Sequence, residues 1–172
     1  MHRRLAAPAL ALALSSLAAP AALAQLFGGD RNWQEIEAPP PPALRVDGLV
    51  PVEVPRSTLR FGIDPESISV GSDSVVRYVV VARSREGGAV NAIYEGVHCG
   101  KADVKVYARH SGEGGWRAVG TPEWRSLYEP KLQPHSLAIA RAGVCHGTTP
   151  NANPTKILRD LRAPVDQRFG DR

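Results

Sequence analysis

The stretch VVRYVVVA at residues 75–82 decides how we expect the chain to fold. It is filled with β-branched and aromatic residues, which favours a strand buried on most of both faces at the centre of a sheet. The next residues, 83–88, end in two glycines that accept positive φ and can reverse the chain into a hairpin. Residues 89–99 then form the return strand and residues 104–108 a third strand. The sequence predicts a three-stranded antiparallel meander.

Alternating apolar residues predict another strand before the meander. Leu59, Phe61 and Ile63 alternate with polar or small residues, which is typical of a strand with one buried face. Pro65 then fixes φ in a turn, and Asp64 can cap the amides that follow. The sheet therefore begins upstream of residue 75.

The chain after the meander predicts one more strand and short helices. Residues 116–119 read as a fourth strand, and residues 122–127 as a short helix that begins with proline. Residues 136–144 fit a helix or an extended segment equally well, and both stay open. Asn153 is a helix cap for residues 155–162. The predicted fold class is α+β, an antiparallel β-sheet meander with a few short helices in a single domain.

The first 24 residues have the three parts of a secretory signal peptide. Arg3 and Arg4 precede a Leu- and Ala-rich middle, and the small-x-small ending Ala22-Leu23-Ala24 stands before Gln25. Prolines and serines interrupt an apolar run that is already short for a bilayer. We expect cleavage of residues 1–24, export to the periplasm and no membrane span in the mature chain.

The segment at residues 25–55 is rich in proline and is predicted to be an arm. Four consecutive prolines at residues 39–42 favour extended polyproline geometry. Trp33 and Ile36 could pack back on the body of the protein, or the prolines could bind an aromatic groove in a partner. The simpler interpretation is that residues 25–55 form a stiff spacer or an arm that lies on the surface. The predicted organisation is a signal peptide at 1–24, the arm at 25–55, the α+β domain at 56–163 and a flexible tail at 164–172.

The charge balance argues against nucleic acid as a partner. The formal net charge is +4, and loss of Arg3 and Arg4 with the signal peptide lowers it to about +2. Basic residues near the C-terminus alternate with acidic ones, which indicates a solvated helix face. The partner expected from export is an envelope protein or a glycan.

The two cysteines, Cys99 and Cys145, predict a structural disulfide. An exported chain meets an oxidising compartment, where such a pair normally becomes a bond. The bond would close a loop of about 45 residues and stabilise the fold by about 3 to 4 kcal/mol through the unfolded state.

A zinc site is the alternative for the same residues, since His98 precedes Cys99 and His146 follows Cys145. Adjacent residues on a strand point to opposite faces, so His98 and Cys99 cannot both reach one metal within a strand. Zinc sites also place two or more residues between paired ligands. The sequence favours the disulfide, and predicts no metal and no cofactor.

Three motifs of the meander follow one another in a characteristic order. They are Gly71 with VVRY at 75–78, NAIYEGVHC at 91–99 and KVYA at 105–108. They are followed in order by Trp116, Trp124, Cys145 and the last predicted helix. In these features the chain resembles the CNP-one-like family, a group of small exported proteobacterial proteins of unknown function. The resemblance implies export and a compact domain, and supplies no activity and no catalytic residues.

Polar residues inside the meander form the candidate site. Arg77 interrupts an apolar run, and a buried guanidinium needs a carboxylate or several acceptors. A hairpin loop with an odd number of residues would place Arg77 and Glu95 on one face, where they can pair. An even loop would place Arg77 beside Tyr94 and His98, and Glu95 beside Tyr78. These five are the candidate ligand-binding residues, and an ion pair that only holds the sheet register is the alternative.

Catalysis is the less favoured interpretation. Glu95 with Asp103 or Glu113 could be the carboxylate pair of a glycoside hydrolase, and His98 or His146 a general base. No motif spacing supports such a pair, and no nucleophile elbow or phosphate loop is present in the sequence. We therefore expect a non-catalytic binding or interaction module of the cell envelope, with a small cell-wall or glycan hydrolase as the alternative.

Overall fold

The computed structural model describes residues 32–88, 90–129 and 134–163, which form a sheet with short helices. The predicted signal peptide at 1–24 and the predicted tail at 164–172 lie outside the described residues. Of the helices in the described ranges, none has the length and apolar character needed to cross a membrane.

The regular elements follow one another along the chain as strands with a helical C-terminal part. They are β1 (Val50–Val52), β2 (Leu59–Ile63), β3 (Ser69–Val70), β4 (Val75–Ser84), β5 (Val90–His98), β6 (Asp103–Ser111), β7 (Trp116–Ala118), β8 (Arg125–Ser126), α1 (Pro134–Ile139), a π-helical segment (Ala140–Val144), β9 (Cys145–His146), β10 (Thr149–Pro150) and α2 (Pro154–Arg162).

The main sheet is antiparallel and has the strand order β1-β2-β4-β5-β6-β7. Strand β3 pairs with β4, strand β8 pairs with β6, and β9 and β10 form a separate small ribbon. The predicted meander corresponds to β4, β5 and β6. The fold is mostly antiparallel sheet with two short helices, so it agrees with the α+β class while being mainly β.

The helix face of the sheet is the side covered by the C-terminal helices. Val76, Tyr78 and Val80 of β4 are buried there in one cluster with Ile139 and Ile157 from the helical part. The Cys99–Cys145 disulfide is present and joins the end of β5 to the chain that follows the π-helical segment. The bond therefore ties the helical layer to the sheet.

The arm face is the opposite side of the sheet. Residues 32–46, which are the described part of the predicted arm that precedes β1 and have contacts at Glu35, Pro42 and Leu44, lie against it and are called the arm from here on. Val79, Val81 and Tyr94 form a second buried cluster, against which Leu44 and Trp116 pack. Residues 33–46 contain no helix or strand. Strand β4 is buried on both faces, as its sequence predicts, because the helices cover one side and the arm covers the other.

The helix predicted at residues 122–127 is wrong. The chain is extended there and forms β8, in which Arg125 pairs with Val104 and Ser126 with Asp103. The Leu127 amide continues this pairing through a hydrogen bond of 2.8 Å to the Ala102 carbonyl. An unpaired edge of β6 satisfies these backbone groups, so pairing outweighs the local helix signal.

The last helix agrees with its sequence signals. The Asn153 side chain accepts a hydrogen bond of 2.9 Å from the Lys156 amide, and Pro154 stands in the first turn. The open segment at 136–144 is helical, as α1 and the π-helical segment. A side chain at Gly143 would lie 2.9 Å from the Leu161 amide nitrogen, so the close approach of α2 requires glycine there.

Candidate functional site

The register of the β4–β5 hairpin decides which polar residues meet. Six residues separate the last cross-strand pair, Arg83 and Val90, so the loop is even. Tyr78 lies opposite Glu95, and Arg77 lies opposite Gly96. The direct pair of Arg77 and Glu95, the odd-loop alternative, is therefore not formed, because their side chains leave opposite faces of the sheet.

Glu95 forms a sealed polar network on the helix face. Its carboxylate accepts hydrogen bonds from the Tyr78 hydroxyl at 2.8 Å and from the Ser136 hydroxyl at 3.2 Å. The Nε2 atom of His135 lies 3.3 Å from the same carboxylate, and the His135 ring stacks on Phe61 with 5.1 Å between centroids. Helix α1 supplies both His135 and Ser136. The network holds this helix on the sheet.

Burial and hydrogen bonding have opposite effects on the pKa of the Glu95 carboxyl. Burial raises the pKa of the Glu95 carboxyl, but His135, Tyr78 and Ser136 outweigh it and lower the pKa below its usual value. Burial and the neighbouring Glu95 charge raise the pKa of Tyr78 well above its ordinary value. Glu95 is thus a buried carboxylate whose acceptor positions are already used by the protein.

Arg77 is held on the arm face by Asp73. Its guanidinium donates to both Asp73 oxygens, at 2.7 and 3.2 Å, and to the Ile36 carbonyl at 3.2 Å. Burial raises the pKa of the Asp73 carboxyl, but the hydrogen bonds from Arg77 and the Val75 amide outweigh it and lower the pKa. A side chain at Gly71 would lie 2.2 Å from the Asp73 carboxylate, so glycine makes room for this pair.

Glu35, from the arm, is the acceptor at the centre of the arm face. Its carboxylate accepts hydrogen bonds from Lys105 Nζ at 2.7 Å, the Tyr107 hydroxyl at 2.7 Å and Trp124 Nε1 at 2.9 Å. A guanidinium nitrogen of Arg77 lies 3.7 Å from the same carboxylate. We call the four residues Arg77, Lys105, Tyr107 and Trp124 the carboxylate cradle.

The cradle stabilises the charged form of Glu35. Burial alone raises the pKa of the Glu35 carboxyl, but hydrogen bonds from Lys105, Tyr107 and Trp124 outweigh burial and lower the pKa. Burial and the hydrogen bond to Glu35 raise the pKa of Tyr107 far above its ordinary value, so its hydroxyl stays a donor.

Two backbone features bring Tyr107 into the cradle. The β5–β6 pairing shifts register between Tyr94 and Glu95, so Tyr107 is an extra residue in β6 and packs on Tyr94. A side chain at Gly96 would lie 2.7 Å from the Tyr107 hydroxyl. Because Gly96 has no side chain, the Tyr107 ring has room to pass over β5.

The three tryptophans of the chain all lie on the arm face and all donate through the indole nitrogen. Trp33 donates to the Asp73 carbonyl at 2.7 Å, Trp116 to the Pro42 carbonyl at 2.8 Å and Trp124 to Glu35. The ammonium of Lys101 lies 3.9 Å from the centre of a Trp33 ring. Tryptophan side chains thus bind the arm through hydrogen bonds at Glu35 and at Pro42 in the proline run.

The five predicted site residues do not form one site. Arg77, Tyr94 and His98 belong to the arm face, while Tyr78 and Glu95 belong to the helix face. His98 is buried against Trp33, with 4.6 Å between ring centroids. Burial lowers the pKa of His98. The even-loop alternative therefore describes the arrangement.

Sequence reasoning missed most of the arm-face cluster. Asp73 could have been found, because it stands four residues before Arg77 in a turn at the start of the strand. Glu35, Lys105, Tyr107 and Trp124 come from three distant segments and carry no local signal.

The proposed hydrolase pairs are not brought together. His98 pairs with Asp103, and Glu95 is three residues from His98 on β5, so Asp103 and Glu95 point to opposite faces. Glu113 lies in a 3-10 turn, Gly112–Gly114, beyond the end of β6. His146 is exposed on β9.

The disulfide takes both cysteines out of any metal site, because neither sulfur is a free thiolate. Among the residues that the structure describes, no group of three or more His, Cys, Asp or Glu side chains could hold a metal ion. The two cysteine ligands of the zinc alternative are therefore used in the disulfide.

Comparison with family models identifies a family that spans most of the chain. The model of the CNP1-like family matches residues 29–162, a range that includes the arm, the sheet and α2. No curated protein and no solved structure matches the chain. Because the family match covers most of the sequence, the protein belongs to the CNP1-like family.

Proposed function

We propose that the protein is a non-catalytic binding module of the cell envelope, and that its partner binds at the arm face. One observation carries this proposal. The arm face already holds a proline-rich segment without regular structure, namely the arm, by side-chain donors directed at a carboxylate and at backbone carbonyls. Surfaces that bind extended peptides use the same combination of indole donors, aromatic faces and charged groups.

The accessible edge of this face offers groups that favour binding. Lys101 is exposed and lies over the Trp33 ring, and Ile36 is 46% exposed although it stands beside buried Arg77 and Asp73. An ammonium group is attracted to the face of an indole ring, and aromatic side chains are enriched in protein interfaces. A partner could therefore contact the arm and the sheet together.

The disulfide supports the envelope as the place of action. Disulfides form and persist in oxidising compartments, and this one joins two elements that lie 46 residues apart. Cleavage after residue 24 and transfer to the periplasm are part of the proposal. Mass analysis of the native protein should find an N-terminus at Gln25 and no free thiol.

The alternative of a small hydrolase receives less support. Inverting and retaining glycosidases need two carboxylates about 5 to 9.5 Å apart on either side of a bound sugar. Glu95 and Asp103 point to opposite faces of the sheet, and the Glu95 oxygens accept hydrogen bonds from Tyr78 and Ser136. The cavity of about 380 Å³ beside Phe61 and His135 has no carboxylate among its described lining residues.

Two matched charge reversals test the proposal. Lys101 is exposed on the arm face, and Lys156 is exposed on α2 on the other side of the sheet. The tagged mature chain, Lys101→Glu and Lys156→Glu are used to capture cross-linked partners from an envelope extract. We expect the wild type and Lys156→Glu to retain the same partner and Lys101→Glu to lose it.

Equal recovery by all three chains would place the contact elsewhere and contradict the proposed surface. Recovery of cytosolic nucleic-acid proteins alone would contradict the envelope assignment.

A further inference from the structure

We propose that the carboxylate cradle is a peptide-binding site that Glu35 occupies in cis, and that its external ligand is an extended segment with an acidic side chain upstream of prolines. The inference rests on the proposed function, because it names the chemistry by which the arm face would recognise a partner.

The donors of the cradle match one carboxylate group. Lys105 and Trp124 both donate to one oxygen of Glu35, and Tyr107 donates to the other, which also faces Arg77 at 3.7 Å. These donors come from β4, β6 and the chain before β8. Charge-assisted hydrogen bonds of this length are the strong ones, and their number makes the site selective for a planar anion.

The charge balance also fits a single carboxylate. Asp73 contacts Arg77 through both of its oxygens and neutralises the guanidinium without help from the arm. Lys105 has one ion pair with a described residue, and that residue is Glu35. When Glu35 leaves, the cradle keeps one uncompensated positive charge, which an acidic side chain restores.

The occupant is attached in a way that permits exchange. The arm makes no strand ladder with the sheet and is held by side-chain donors, such as Trp116 to the Pro42 carbonyl. The Glu35 and Lys105 side chains are each 16% exposed, so the ion pair lies at the edge of solvent. Release of this contact breaks no hydrogen bond between strands of the sheet.

The arm itself indicates what the ligand looks like. Glu35 stands seven residues before Pro42, the chain between them has no regular secondary structure, and the four prolines at 39–42 favour extended polyproline geometry. Polyproline segments lose little conformational entropy on binding, because their backbone is already extended. A ligand with an acidic residue about seven positions before a proline would reach the cradle and Trp116 together.

Peptide titrations test this site with the full chain. The ligand is a fluorescein-labelled peptide with the sequence of residues 32–46, and its matched control carries Gln at the position of Glu35. The proteins are the wild type, Glu35→Ala and Glu35→Ala combined with Lys105→Met. Fluorescence anisotropy gives the dissociation constants, and circular dichroism checks folding.

We expect the acidic peptide to bind Glu35→Ala at least tenfold more tightly than the wild type, because the cis carboxylate no longer occupies the cradle. The Gln peptide should bind Glu35→Ala at least tenfold more weakly than the acidic peptide. Lys105→Met should remove the difference between the two peptides. If Glu35→Ala does not fold, Glu35→Gln, which keeps the shape of the side chain, replaces it.

Equal binding of the acidic and Gln peptides, or no binding to a folded variant at millimolar concentration, would overturn the inference. The proposed function would survive that result if Lys101→Glu still abolished capture of the envelope partner. A third outcome is that the wild type forms dimers and Glu35→Gln does not. The arm of a second copy would then be the occupant of the cradle, and this result would also contradict the proposed external ligand.

Discussion

The two faces of the central sheet each hold a carboxylate in a cluster of donors, but they hold it differently. On the helix face, Glu95 comes from the sheet itself, its side chain is 1% exposed, and its partners are His135, Ser136 and Tyr78. On the arm face, Glu35 comes from a segment without regular structure and is 16% exposed.

This difference indicates that the two faces of one sheet can have different roles, one in stability and the other in ligand binding. A buried carboxylate that belongs to a central strand cannot leave without unfolding the sheet. A carboxylate on an arm can leave while the strands stay paired. The helix face therefore stabilises the fold, and the arm face is the side where exchange with a ligand is physically possible.

The largest effect should come from Glu95. Glu95→Ala leaves His135, Ser136 and Tyr78 without their shared acceptor in a site that water does not reach. Removal of one partner from a buried charged network costs about 3 to 5 kcal/mol. Urea denaturation should show this loss in the free energy of unfolding, and a loss below about 1 kcal/mol would break the distinction between the faces.

The disulfide should contribute nearly as much to stability. Cys99→Ser, Cys145→Ser and the double variant should each lose about 3 to 4 kcal/mol of unfolding free energy, because one bond is removed in every case. Thermal and urea unfolding of the three proteins give the comparison. A double variant much less stable than either single one would indicate that the sulfurs act separately.

A pair of double-mutant cycles sharpens the assignment of Arg77 to the arm face. Arg77→Met combined with Asp73→Asn should show a coupling energy of about 1 to 3 kcal/mol, because their side chains are in contact. The effects of Arg77→Met and Glu95→Gln should add to within about 0.5 kcal/mol, because these residues share no partner. Strong coupling in the second cycle would contradict the observed register.

The smallest stability effect should come from Glu35. Glu35→Gln should cost about 1 to 2 kcal/mol at neutral pH, because it removes charged hydrogen bonds from a partly exposed site. The folded pKa of Glu35 lies below its ordinary value of 4.5. Its contribution is therefore complete above pH 4.5 and is lost as the pH falls through the folded pKa.

Stability curves of the wild type and Glu35→Gln, measured from neutral pH downward, check this sign. The two curves should converge below pH 4.5. A difference that grows on acidification would mean that the cradle favours the protonated carboxyl.

Much of the sheet was predictable from sequence because its signals are local. The run at 75–82 needs burial on both faces whatever lies around it, and Asn153 with Pro154 marks a helix start by itself. The short helix at 122–127 failed because an open edge of β6, far away in sequence, supplied better partners for the backbone. Local preference loses to pairing when the segment is this short.

The candidate site was less predictable. It depends on whether the β4–β5 loop has an even or an odd number of residues, and on contacts between residues that lie far apart in the sequence. The partner of Glu95 changes with one residue in the hairpin loop, and the loop sequence does not fix its length. The hydrogen-bond partners of Glu35 lie 70 to 89 residues further along the chain. The pattern of apolar and polar residues near Glu35 does not indicate these partners.

That distance also orders the events of folding. We expect Lys105, Tyr107 and Trp124 to take their positions only after β4, β5 and β6 have paired, so that the arm has no surface to bind before then. Contacts between segments this far apart form slowly, because a long loop must close first. In stopped-flow refolding we expect backbone ellipticity to recover before indole emission, so the N-terminal segment of the domain would be the last to become native.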